Sequence, residues 1–282
     1  MKYPYHLHTL TTPQGELAYI DEGKGPSTLV FIHGLGSFIP AWEHNIVQLK
    51  KHFRCLALDL PGHGNSVRGD HPFSIYYYAE VVASFVQQLK LKNVILVGHS
   101  MGGQISVIFS IRYPSLLNKL VLAAPAGIEK FTPSEVQMMK SFWNMMDLGN
   151  AGSWQWSAGL KNNFYRSSVL ADKISADMIN VMQSGNRAEF MKMMQLSMWG
   201  ILDEPVDEML HLISVPVLLV FGEKDVLIPN PYLHSYSTEQ LAREAVGKIP
   251  GAELLMIPNC GHYVQYENPE EFNRALHEFA KD

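Results

Sequence analysis

"LVGHSMGG", residues 96–103, places one serine between glycines where an apolar run ends. The stretch fits G-x-S-x-G, and its reading depends on what flanks it. "NVILVGHS" before it is a strand-like run, and "MGGQISVIFSIRYP" after it has helical composition and stops at Pro114. A strand that becomes a helix within one residue brings backbones into close approach, so a Cβ at 98 or 102 would collide. Ser100 is then expected in a strained conformation at a helix N-terminus, with its hydroxyl exposed at the carboxyl edge of a sheet. The alternative is a glycine-rich turn that contains a serine by chance.

Outward from this point the chain alternates. "STLVFIHGLG", "FRCLALDLPGHG", "NVILVGHS", "LNKLVLAAPAG", "VPVLLVFGEKD" and "AELLMIPNCGH" are short continuous apolar runs, the pattern of strands covered on both faces. Helical segments separate them. In "SIYYYAEVVASFVQQLKL", Ile75, Tyr78, Ala79, Val82, Val86 and Leu89 fall on one helical face. "HLHTLTT" and "GELAYIDEG" form a leading hairpin around Pro13–Gly15. Asn268, Pro269 and Glu271 are expected to open the last helix as N-cap, N1 and the N3 member of a capping box. This rhythm predicts an α/β fold, a doubly wound, mostly parallel sheet with right-handed crossovers. Between 128 and 210 the rhythm gives way to helical, aromatic and methionine-rich sequence, which predicts a helical insertion after the sixth strand. The expected division is a core of 1–127 and 211–282 and an insertion of 128–210.

The totals limit the function classes. The 282 residues suit one α/β domain carrying an insertion. A formal net charge of −5 without a basic cluster argues against a nucleic-acid partner. Two cysteines, Cys55 and Cys260, make no disulfide framework and suggest a reducing compartment. The N-terminus lacks the apolar region of a signal peptide, and no run approaches the ~18 apolar residues of a membrane span. The expectation is a cytoplasmic protein without a stable membrane anchor.

A serine hydroxyl needs a base to become a nucleophile. His262, on the turn after the last strand, is the candidate. His33, His63 and His99 lie near the same sheet edge and are expected to serve as structural hydrogen-bonding groups, whereas His211 and His234 adjoin no other signal. Asp225 in "VFGEKD" is the candidate carboxylate that orients the base, ahead of Glu223. After "KLVLAAPAG" no acid occurs until Glu129. The amides of Met101 and of Leu35 in "HGLG" are the candidate oxyanion donors. Eleven of the fourteen methionines and four of the five tryptophans lie in the insertion. They predict a small helical core that also lines an apolar acyl pocket, with Trp143, Trp199 and Met146 as candidate substrate contacts. Arg166 and Arg187 are candidate partners for a substrate carboxylate.

Together "FIHGLG", "DLPGHGNS", "GHSMGG", "FGEKD" and "CGHYVQYENPEEF" resemble the α/β-hydrolase fold superfamily, in its order of nucleophile, acid and histidine. The resemblance spans nearly the whole chain except the insertion, which it implies is a cap. "GHSMGG" is similar to carboxylesterases and monoacylglycerol lipases, whereas "CGHYVQYENPEEFNR" is similar to the meta-cleavage-product hydrolases. The latter usually carry asparagine before the serine and tryptophan after the histidine, where this chain has His99 and Tyr263. Members with an aspartate or cysteine nucleophile, and iminopeptidases with a G-G-S-W-G elbow, match less well. The resemblance implies a serine hydrolase of small to medium, mostly hydrophobic carboxylic esters that needs neither metal nor organic cofactor. Two alternatives stay open: a carbon–carbon bond hydrolase, and a slow-turnover ligand receptor on the same scaffold.

Overall fold

A computed structural model describes residues 3–145, 159–166, 168–183 and 185–281. Among these residues eight strands form one sheet: β1 (His8–Thr12), β2 (Gly15–Glu22), β3 (Thr28–Ile32), β4 (Arg54–Leu58), β5 (Val94–His99), β6 (Lys119–Ala123), β7 (Val217–Gly222) and β8 (Glu253–Ile257). Their spatial order is β1-β2-β4-β3-β5-β6-β7-β8. The β1–β2 and β2–β4 pairs are antiparallel and every other pair is parallel. The helices of the sheet are α1 (Glu43–Leu49), α2 (Ile75–Gln88) and α3 (Met101–Arg112). Among the described residues after β6 stand the helices α4 (Pro133–Met145), α5 (Val169–Gln183) and α6 (Arg187–Asp203). The chain then returns to the sheet and adds α7 (Thr238–Lys248), α8 (Val264–Glu267) and α9 (Pro269–Lys281).

The continuous apolar strands follow from burial on both faces. All residues of β3, β5 and β7 are buried. Successive side chains point to opposite faces, and the core divides accordingly. Val30, Ile32, Leu56, Leu58, Leu96 and Leu120 enter the cluster that contains α2 and α3. Leu29, Phe31, Cys55, Ala57, Ile95 and Val121 enter the cluster on the other face, with α1 and α9. Cys55 and Cys260 are buried free thiols.

The helix ends are set by side chains. Ser74 accepts from Tyr77 N and starts α2. At α9, Asn268 Oδ1 accepts from Glu271 N at 3.3 Å, but the Glu271 carboxylate reaches the Asn268 side-chain amide instead of its backbone N–H. That backbone N–H is already given to Val264 O, which is why the expected box is half formed. A complete capping box stands elsewhere, between Ser237 and Gln240 at α7.

The helices between β6 and β7 are amphipathic and fastened to the core. On α5, Ala171, Ile174, Ser175, Met178, Val181 and Met182 are buried, and α6 buries Phe190, Met193, Met194 and Ser197 at helical spacing. No residue of α4 is fully buried. Gln104 of α3 donates to the carbonyls of Ile201 and Glu204, and the Glu204 carboxylate accepts from Ile75 N and Tyr76 N at the start of α2. The end of α6 is thereby bonded to two core helices. Among the described residues no helix is long and apolar enough to cross a membrane.

Candidate active site

Five strands deliver their C-terminal ends to one edge of the sheet, the usual location of ligand sites in open α/β sheets. β5 delivers Ser100, with φ 53° and ψ −117°. Such a conformation costs about 1–3 kcal/mol and persists only where its surroundings over-determine it. Here Ser100 N donates to Ala123 O at 3.0 Å, while Ser100 O accepts from Gly103, Gln104 and Ala126 amides at 2.9, 3.2 and 3.0 Å. The glycines meet the steric requirement read from the sequence. A Cβ at Gly98 would lie 2.3 Å from Gly102 O, and one at Gly102 would lie 2.3 Å from Ile32 O. Both obstacles are backbone and cannot rotate away. Gly102→Ala is therefore expected to destabilise the protein by about 3 kcal/mol, the upper range for overpacking, measurable as a lower urea midpoint at unchanged slope.

β3 delivers the loop His33–Ser37, and two buried histidines hold it. His33 Nδ1–H donates to Gly34 O at 2.8 Å, and its Nε2 accepts from Leu60 N at 3.0 Å. His63 Nδ1–H donates to Pro61 O, and its Nε2 accepts from Gly36 N at 3.2 Å. Burial keeps both rings neutral, His33 near pKa 4 and His63 well below the ordinary value. Asp59, at the end of β4, supports the same region by accepting from Tyr3 Oη, Ile39 N and Asn65 N. With Gly36 N committed to His63, the amides of Leu35 and of Met101 at the start of α3 have no acceptor among the described residues.

β7 and β8 deliver Asp225 and His262, 7% and 3% exposed. His262 Nδ1 lies 2.8 Å from Asp225 Oδ2, while Oδ1 accepts from Leu227 N at 2.8 Å and Ile228 N at 3.1 Å. A carboxylate only accepts, so Nδ1 carries the hydrogen, and in the neutral ring Nε2 is the nitrogen with the lone pair. His262 N donates to Asn163 O, and His262 O accepts from His99 Nε2 at 3.0 Å. His99 is buried beside His262, and both burial and that neighbour hold its pKa well below the ordinary value. It therefore braces His262 without placing a positive charge next to it.

Ser100 and His262 share the wall of a cavity of about 410 Å³. Among the described residues the Ser100 hydroxyl makes no hydrogen bond, either to His262 or elsewhere. Phe131, Met139, Trp143, Met194, Met198 and Ile201 supply apolar wall from the segment between β6 and β7. A smaller apolar chamber adjoins it beside Leu35 and Gly36, lined by Met178, Met182 and Phe190. The methionines thus serve both expected purposes, Met193 as core and Met194 and Met198 as cavity wall. Wider depressions elsewhere carry neither Ser100 nor His262.

Of the candidate substrate contacts, Trp143 lines the cavity and Trp199 does not. On α6, Met194, Met198 and Ile201 share the cavity face. Trp199 is rotated about 100° from Met198 by helix geometry, and its ring lies 5.7 Å from Lys140 Nζ. Met146 lies outside the described residues. Arg166 is exposed, with its guanidinium over the Tyr165 ring, and neither it nor Arg187 lines the cavity.

Two acids to which the sequence assigned no role stand at the site. Glu129 forms part of the cavity wall, bonded to Asn230 and His234. Glu267 bridges the His262 turn to the segment after α4: its two oxygens accept from Gly261 N at 2.8 Å and Tyr165 N at 2.9 Å. Burial pushes the Glu267 carboxyl up to about 7. Its raised value means that the folded state holds the proton more tightly than the unfolded chain. Stability should therefore decline as pH rises from about 4.5 to about 7. Glu267→Gln removes this titration, so the variant should gain stability relative to the parent at pH 8 compared with pH 5, read from urea midpoints at both pH values.

Residues 29–275 match the sequence profile described as "Alpha/beta hydrolase family". An AB hydrolase superfamily protein of Bacillus subtilis is 27% identical, with 97% of this chain and 98% of that protein covered. A 2-hydroxy-6-oxononadienedioate/2-hydroxy-6-oxononatrienedioate hydrolase of Burkholderia vietnamiensis is 26% identical, covering 93% of this chain and 90% of that protein. Among solved structures, an esterase from Exiguobacterium antarcticum superposes with a TM-score of 0.80 at 21% identity, covering 97% of this chain and 99% of that one.

Proposed function

Because the chain belongs to the α/β hydrolase family, we propose that it is a serine hydrolase that cleaves carboxylic esters of small to medium, mostly apolar substrates through an acyl-enzyme. The observation that carries this reading is His262, hydrogen-bonded to Asp225, on the wall of a largely apolar cavity that Ser100 also lines. In the proposed reaction His262 Nε2 takes the Ser100 proton as Oγ attacks the ester carbonyl. Asp225 stabilises the imidazolium, and the Leu35 and Met101 amides receive the oxyanion. The proton then passes to the departing alcohol. Water, deprotonated by the same imidazole, attacks the acyl-enzyme carbonyl and releases the acid, restoring Ser100. The helices between β6 and β7 act as a cap that covers the cleft.

Mass spectrometry of the protein after treatment with a fluorophosphonate probe tests this reading. A single adduct on the Ser100 peptide, together with burst kinetics on p-nitrophenyl butyrate, is expected; intact, folded protein without that adduct refutes it.

Carbon–carbon bond hydrolysis is the second reading, supported by the name of the Burkholderia relative. That relative's named substrates are dicarboxylates, whereas the described wall of this cavity contains no lysine or arginine and does contain Glu129. This contrast favours the ester reading. Higher kcat/KM on a ring-cleavage dienoate than on any p-nitrophenyl ester would reverse the choice. Turnover no faster than that of Ser100→Ala would favour a ligand receptor.

A further inference from the structure

Glu129 is 4% exposed yet forms part of the cavity wall. Its two oxygens are used unequally. Oε1 accepts from Asn230 N at 2.6 Å and pairs with His234 Nδ1. Oε2 makes no hydrogen bond or ion pair among the described residues. The side chain is not loosely placed, because its partner ring is stacked between Phe131, 5.4 Å away, and Tyr236, 5.0 Å away. The neighbouring cation in sequence, Lys130, is paired with Asp207 at 3.1 Å. Oε2 is not among the wholly buried, unpartnered polar atoms, so it keeps accessible surface on which a donor can sit. The protein keeps this oxygen in a cleft whose other described walls are largely apolar and contain no lysine or arginine.

Resting on the ester-hydrolase reading, we propose that Glu129 is the specificity-determining residue of the cavity. Its free oxygen receives an N–H or O–H donor, a hydroxyl or amino group carried on an otherwise apolar ester, and disfavours esters bearing a carboxylate at that place. Asn230, whose backbone bonds Glu129 and whose residue also lines the cavity, adds polar character at the same place. Burial raises the Glu129 pKa and His234 opposes that rise. The bonds from His234 and Asn230 favour the ionised form, and an ionised Glu129 accepts from a donor-bearing substrate and repels an anion.

The test compares two matched series of esters, one varied in the acyl half and one in the alcohol half. Each series ends in methyl, hydroxyl, primary amine or carboxylate. In one series the parent enzyme should show higher kcat/KM for the hydroxyl or amine member than for the carboxylate member. Glu129→Gln keeps an oxygen for Asn230 N and His234 and turns an N–H₂ donor toward the cavity. It should lower the donor-to-carboxylate ratio by about ten- to hundredfold, the scale of one charge-assisted hydrogen bond. A ratio unchanged within about twofold in both series, in a variant that still takes the fluorophosphonate on Ser100, overturns the role of Glu129 and leaves the hydrolase reading intact. Loss of labelling in the parent overturns the hydrolase reading itself. Should Glu129→Gln not fold, the parent alone decides. Butylamine or butanol should protect Ser100 from the probe at lower concentration than butyrate does, and equal or stronger protection by butyrate overturns the proposal.

Discussion

Ser100→Ala is expected to lower the hydrolysis of a p-nitrophenyl ester by about 10⁶-fold, the loss seen when a serine nucleophile is removed from such a constellation. It should also abolish the fluorophosphonate adduct while the circular dichroism spectrum stays unchanged. Alanine removes the hydroxyl and keeps the backbone problem, because φ 53° with ψ −117° remains unfavourable for any residue with a Cβ. Glycine removes both. Ser100→Gly should be as inactive as Ser100→Ala but more stable by about 1 kcal/mol, the relief of strain less the extra chain entropy of glycine. Urea unfolding of the two variants measures the difference. Activity of either variant within tenfold of the parent would remove Ser100 from the chemistry. Equal stabilities would show that the elbow stores no strain.

Asp225→Asn carries the second large effect, a loss of about 10⁴-fold in kcat/KM with little change in KM. Aspartate can accept on both oxygens, and it uses Oδ1 for the Leu227 and Ile228 amides and Oδ2 for His262. In asparagine the single oxygen is drawn to the two amides, so the N–H₂ group faces His262 Nδ1. That contact is satisfied only if Nδ1 accepts, which moves the ring hydrogen to Nε2. A protonated, neutral Nε2 has no lone pair for the Ser100 proton, so attack fails although every group remains in place. Glu129 offers no rescue, since its bonds are to Asn230 and His234. The rate of fluorophosphonate labelling should fall in parallel with turnover. A loss under tenfold would mean that Asp225 is a turn aspartate and that His262 is oriented by other bonds.

Much of this molecule is legible one segment at a time. The alternating faces of β3 and β5, the glycines at 98 and 102, the N-cap at Asn268 and the order in which strands and helices follow one another are consequences of residues close in the chain. Where the reading failed, it failed over long separations. His234 adjoined no other signal in the sequence, yet it holds Glu129, 105 residues earlier. Glu267 bonds Tyr165 across 102 residues. Trp199 was placed on the cavity by composition alone, and helix rotation turned it to Lys140.

The amino-acid order alone thus determined the doubly wound sheet and the sharp elbow at Ser100, because hydrophobic periodicity and local steric clash act between near neighbours. Tertiary structure alone decided which acid faces the cavity, which tryptophan lines it and which histidines are held neutral. Those outcomes depend on burial and on partners supplied by distant segments, and a buried polar group takes its character from whatever packing brings beside it.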